Sequence, residues 1–194
     1  SGHAPRIPVY ARYVVQDEET KIFNAQIWRP SKSYRRKHLD FRRKEHEAPL
    51  IYEAHIGMAQ EEGKIGSYNE FKDLILPRIV DAGYNTIQLM AIQQHPYYGS
   101  FGYHVANFFA PTSRFGTPDD LKELIDTAHG FDLSVIMDIV HSHAVRNEVE
   151  GISRFDGSEY QYFHEGARGN HEAWDSRCFD YGKKEVLHFL LSNC

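Results

Sequence analysis

Cysteine is scarce: Cys178 and Cys194 are the only two in 194 residues. Two are too few for a disulfide framework, so a reduced, intracellular compartment is expected. No run approaches the roughly 18 apolar residues needed to span a bilayer, and no signal peptide opens the chain. Cytoplasm is therefore the expected location, with no membrane partner. The chain starts at Ser1-Gly2 rather than at Met, and an expression scar or an internal boundary is the expected reason. Net charge is small too, 22 Lys and Arg against 27 Asp and Glu for a formal −5, which argues against a nucleic-acid partner. A Gly-rich phosphate loop is also missing. Gly57-Met58-Ala59-Gln60 stands where one would follow the first strand, and this weakens a nucleotide-binding reading. What is present is apolar content, 41% hydrophobic and 13% aromatic, enough for the core of one domain or one and a fraction.

The informative stretch is Leu133-Ser134-Val135-Ile136-Met137-Asp138, continuing through Ile139 and Val140 to His141-Ser142-His143. Its apolar run predicts a parallel strand buried on both faces, with Asp138 and His143 at or beyond its carboxyl end, where α/β folds place their chemistry. Two further strands are predicted, Ile51 to Gly57 and Thr86 to Ile92. Between them, Ser67 with Glu70 three residues on forms a capping box that starts a helix. Pro77 either kinks that helix or restarts it, and Gly83 closes it in a left-handed stop. A second helix starts at Thr117-Pro118, with Asp119 and Asp120 set against its dipole, and ends at Gly130. A last amphipathic helix covers residues 185 to 192. Repeated βα units imply a parallel sheet, either a barrel or an open doubly wound sheet. Ahead of them, Tyr10 to Gln16 and Lys21 to Arg29 alternate around a turn and predict a β-hairpin. Arg29 to Glu47 is polar and basic and reads as a linker, with an anion-binding patch as the alternative.

Two long loops follow strands, Gln93 to Gly116 and Ala144 to Lys184, and loops of this length are commonly functional. The first holds Tyr97, Tyr98, Phe101, Tyr103, Phe108 and Phe109. Phe108 and Phe109 are expected to pack the loop down. Tyr103, between Gly102 and His104, is expected to face a pocket, since a flat ring can lie against a sugar face while its hydroxyl hydrogen-bonds. Glu53 and His55 share one strand face and are expected as a buried hydrogen-bonded pair. His141 and His143, two apart, leave a zinc site open as an alternative, in a metal-dependent barrel hydrolase. Glycosyl transfer instead needs two carboxylates flanking the sugar bond, and Asp138 alone sits at a strand end here.

Ile51-Tyr52-Glu53-Ala54-His55-Ile56-Gly57, Tyr97-Tyr98-Gly99-Ser100-Phe101-Gly102-Tyr103, Arg114-Phe115-Gly116-Thr117-Pro118 and Asp138-Ile139-Val140-His141-Ser142-His143 stand in this order. In strings and order the chain resembles the glycogen and starch branching enzymes of the α-amylase superfamily, with Ile139 where Val is commoner. The resemblance implies an α/β fold, the first part (about three βα units) of a (β/α)8 barrel, preceded by a hairpin from a carbohydrate-binding β-sandwich. It divides the chain into residues 1–30 for the end of the sandwich, 31–48 for a basic linker, and 49–194 for the early barrel with its long loop at 144–184. It implies a retaining transglycosylase that cuts α-1,4 links and forms α-1,6 links in an α-glucan such as glycogen, amylose or amylopectin, without cofactor or metal. Asp138 and His143 would support catalysis without being nucleophile or acid, Tyr103 would stack on the sugar, and Glu185, Val186, Leu187 and His188 would contact glucan. The nucleophile and acid of that family fall on later strands, so the remainder of the enzyme is an implied partner and this chain by itself is expected to be inactive. The other reading is a non-catalytic glucan-binding module.

Overall fold

The computed structural model describes residues 5–44 and 46–194; the Ser1-Gly2 start lies outside them. Val14–Gln16 (β1) pairs antiparallel with Phe23–Ala25 (β2) across the predicted turn. Ile51–Ala54 (β3) follows, then a helix in three stretches: Tyr68–Glu70 (α1), a π-helical turn over Phe71–Ile75, and Leu76–Asp81 (α2). After Thr86–Leu89 (β4), the short strands Gln93–Gln94 (β5) and Asn107–Pro111 (β6) pair antiparallel. Pro118–Gly130 (α3) leads to Ser134–Met137 (β7). His143–Val145 (β8), Asn170–His171 (β9) and Ser176–Cys178 (β10) form an antiparallel sheet in the order β8-β10-β9. Lys184–Asn193 (α4) is the last element.

The chain divides into two compact units. One, made of Trp28–Ile92 and Ser113–Asp138, holds a parallel sheet in the order β3-β4-β7 with its helices. The local signals behave as their chemistry dictates. Ser67 accepts from the Glu70 amide while Glu70 reaches back to the Ser67 amide, so two orphan donors at the helix start are satisfied. Thr117 and Asp120 make the same reciprocal box at α3, a pairing the sequence reading attributed only to the dipole. Pro77 stands in the first turn of α2, the restart that was one of its two expected outcomes. It has no amide to donate and its ring crowds the preceding turn, and the π-helical turn just before it, closed by the Leu76 amide on the Phe71 carbonyl, widens the backbone there. Gly83 is left-handed at φ 84°, as a C-terminal stop requires. At α3 the left-handed residue is instead Asp132 at φ 57°. Gly130 has a different use, since a Cβ there would come within 2.6 Å of His38 Nε2.

Three expectations need correction in this unit. The paired strands are shorter than predicted, and the run from Ile56 coils into a 3-10 turn. The third strand is not buried on both faces: Ile136 is 42% and Met137 47% exposed. β7 pairs only with β4 among the described residues, and an apolar run records what a strand covers when all its neighbours are in place. Glu53 is exposed and accepts from Gln88 Nε2 at 2.8 Å, so no buried Glu53–His55 pair forms; His55 lies edge-on to Phe115 instead. Strands β3 and β7 both present open edges carrying Ile51, Tyr52, Ile136 and Met137. Concentration-dependent self-association of the 194-residue chain is therefore expected. A stable monomer by sedimentation, with all three parallel strands protected from hydrogen exchange, would contradict it.

The basic stretch is ordered along α3. Asp126, 3% exposed, accepts from Tyr34 Oη at 2.6 Å and from the amides of Lys37 at 2.7 Å and His38 at 3.0 Å. Phe41 stacks on His129, ring centroids 4.2 Å apart. Asn85 joins the strand starts, accepting from the Leu50 amide through its side chain and from the Ser134 amide through its carbonyl.

The second unit comprises Ser1–Ile27, Gln93–Thr112 and Ile139–Cys194. The hairpin β1-β2, marginal alone, buries Val14 and Phe23 against Ala110 of β6. Phe108 meets Phe179 and Phe189 edge-to-face at 5.5 and 5.6 Å, and Phe109 packs on Tyr10 and Phe189, the anchoring part expected of them. Gln93 is the polar tie: it donates to the Phe108 carbonyl and to Asn193, and accepts from the Val140 amide at 2.8 Å. The two long loops are thus a small folded unit rather than irregular chain.

Candidate active-site cavity

Tyr103 is aimed by backbone geometry. The 3-10 turn Tyr98–Ser100 runs into two successive left-handed residues, Phe101 at φ 55° and Gly102 at φ 94°, and the Tyr103 amide closes the reversal on the Ser100 carbonyl. Left-handed Phe101 costs on the order of 1 kcal/mol or more, a strain that persists where surrounding structure over-determines it. His143 opens β8, opposite Cys178 of β10. Its Nε2 lies 2.9 Å from the Tyr103 carbonyl oxygen and its Nδ1 2.8 Å from Ser142 Oγ. A carbonyl only accepts, so Nε2 carries the proton and Nδ1 takes the serine hydroxyl's. His143 is only 6% exposed. Burial, reinforced by the nearby His104 and His171, holds the imidazole below its usual range despite the Tyr103 bond, which favours the neutral ring.

These two residues line a cavity of about 650 Å³ with Tyr97, Ser100, His104 and Trp174. Its far wall is the tip of the β9-β10 hairpin, Glu172 to Asp175. Asp175 is left-handed at φ 43° and ion-paired with Arg146 at 3.0 Å. An apolar, ring-lined hollow with a few aimed polar groups suits a sugar, which offers apolar faces and a rim of hydroxyls.

Tyr103 and His143 are brought together. Asp138 stands where predicted, half-buried at the carboxyl end of β7, its amide bonded to the Leu89 carbonyl at 3.0 Å, in the parallel-sheet unit. Residues 185–188 occupy the first turn of α4 and none lines the cavity. Val186 is wholly buried, whereas Glu185, Leu187 and His188 are exposed. His141 is turned to Asn193 Oδ1 at 2.8 Å, and no group of three or more metal-ligating side chains occurs among the described residues. Sequence reasoning missed Trp174, Glu172 and Asp175, which lie inside what it read as loop. The signal was available: a Trp between acids in a long stretch after a strand.

One unit thus holds parallel βα units and the other a ring- and histidine-lined cavity. Residues 75–176, more than half of the chain, match the model of the α-amylase family, described as "Alpha amylase, catalytic domain". The chain belongs to that family. It is 53% identical over 192 residues to a 1,4-alpha-glucan-branching enzyme of Yarrowia lipolytica and 51% identical over 191 residues to one of Dictyostelium discoideum, covering 97% of this chain in each case. It spans 27% of the length of those relatives. Among solved structures, it superposes on a Salmonella typhimurium protein assigned as an α-amylase with a TM-score of 0.69 and 27% identity, over 83% of this chain and 26% of that one. The fold expected for the sheet, part of a (β/α) barrel, agrees with these matches.

Proposed function

We propose that this chain is the early-barrel part of a 1,4-α-glucan branching enzyme, which cleaves an α-1,4 link with retention and transfers the released chain to form an α-1,6 branch. The observation that carries the reading is His143 hydrogen-bonded to the Tyr103 carbonyl at a ring-lined cavity. The identity to branching enzymes supports the same substrate class.

In this reading Tyr103 lies against the glucose ring at the cleaved bond and His143 supports the site as a hydrogen-bonding group. Neutral His143 has one N–H, spent on the Tyr103 carbonyl. A glucose hydroxyl becomes its acceptor only by displacing that carbonyl, which couples substrate entry to the Tyr103 backbone. Asp138 supports the site through charge-assisted hydrogen bonds. Glu185, Leu187 and His188 offer an exposed surface for an outlying stretch of glucan. The hairpin β1-β2 is read as the end of a carbohydrate-binding sandwich and residues 49–194 as the early barrel. The enzyme works in the cytoplasm on glycogen, amylose or amylopectin, with the rest of the barrel as its partner and without a cofactor.

A retaining reaction needs a nucleophile and an acid about 5 to 5.5 Å apart, and the family's motifs for both follow the third strand. Incubated with amylose, the 194-residue chain is accordingly expected to make no α-1,6 branch points, while a protein carrying the complete barrel makes them. Branching by the chain alone would overturn the assignment of roles. Failure of the complete protein to branch would overturn the function.

A further inference from the structure

Trp174 has no part in the roles assigned so far, yet four contacts hold it in one pose. His171 stacks on it with ring centroids 4.3 Å apart and planes 13° from parallel. The His143 ring lies 5.3 Å from it, tilted by 49°. His104 Nε2 donates to its carbonyl at 2.7 Å. The next residue, Asp175, is left-handed and tied to Arg146. His171 Nδ1 is buried with no hydrogen-bond partner among the described residues. A buried polar atom left so is costly and needs a reason; backing the indole supplies one. Despite this support Trp174 is 54% exposed. A large ring backed on one face, pinned at its carbonyl and open to a cavity is built to receive a flat apolar partner.

We propose that the Trp174 indole is a stacking platform for a second glucose unit of the bound α-glucan, beside the unit held at Tyr103 and His143, with His171 and His104 as its positioning residues. This rests on the glucan reading above and adds to it a determinant of affinity for oligosaccharides longer than a single sugar. Two sugar faces held by two separately aimed rings select a linked pair and discriminate against a lone glucose.

The chain has two tryptophans, Trp28 and Trp174, so a Trp28→Phe background leaves Trp174 as sole reporter. Titrating that variant with maltohexaose is expected to change Trp174 emission saturably, with glucose ineffective at the same concentrations. By calorimetry, Trp174→Ala should weaken maltohexaose binding about tenfold, Trp174→Leu nearly as much, and Trp174→Phe far less, because the ring face is what counts. If the alanine variant is misfolded by circular dichroism, the Leu and Phe pair decides. Unchanged affinity in Trp174→Leu, with binding still lost in Tyr103→Ala, would overturn the platform and leave the glucan function standing. No maltohexaose binding by the parent chain would also overturn it, while the branching assay on the complete protein judges the function separately.

Discussion

His143→Ala, in a protein carrying the complete barrel, is expected to lower branching turnover by about 10²- to 10³-fold, equivalent to about 2.7 to 4 kcal/mol of lost transition-state stabilisation. The loss has two sources. The variant lacks an N–H donor at the cavity wall, and it releases the Tyr103 carbonyl, so the ring expected against the sugar is no longer held. His143→Gln, whose amide can reach the same carbonyl, should recover part of the rate where alanine does not. Circular dichroism should be unchanged. The pH dependence follows from burial, which lowers the His143 pKa from its usual 6.5. The neutral, active ring therefore persists below pH 6.5, and the acid limb of turnover set by this residue lies under that value. The unfolded chain takes up the proton first as pH falls. Stability from the neutral ring is thus complete above 6.5 and is lost as pH drops from there through the folded pKa. A near-normal rate in His143→Ala would defeat the assignment, as would a normal rate in Asp138→Asn for the supporting carboxylate. Activity that follows added zinc would favour the metal-hydrolase alternative.

Asp126→Ala is expected to destabilise the parallel-sheet unit by about 3 kcal/mol, because three donors lose one buried acceptor. In a chain of 194 residues this is a fall of roughly 6 to 12 °C in unfolding midpoint. Burial opposes the charge of Asp126, but the hydrogen bonds from Tyr34, Lys37 and His38 outweigh it and hold the carboxyl below its usual 3.8. A depressed carboxyl stabilises fully above its unfolded value and stops doing so as pH falls through the folded one. The gap in midpoint between wild type and Asp126→Asn should therefore be wide at pH 7 and narrow below about pH 4, starting at the usual 3.8. Thermal melts at both pH values test this. Equal midpoints at pH 7 would mean that the segment from Trp28 to Ala48 is not anchored through Asp126.

Legibility in the sequence tracked the range of the interaction behind each feature. Ser67 with Glu70, Thr117 with Pro118, and Gly83 announce helix ends because a cap is a contact across three or four residues. The strand positions and Asp138 were legible for the same reason, and the motif order was enough to place the family. Burial was less legible. The apolar pattern marked Ile136 and Met137 as core, but a pattern cannot say which neighbours are present to cover them.

The sequence by itself determined the helix starts, the βα order and the family, and it marked Asp138, His143 and Tyr103 separately as the residues to watch. Only the tertiary structure decided that Trp174 joins them, that Asp126 binds a basic stretch some 90 residues away, and which His143 nitrogen carries the proton. The reason is physical. Caps and periodicity are written in neighbouring residues, whereas the cavity closes only when β8 pairs with β10 across more than 30 residues of chain, and no local pattern encodes that register.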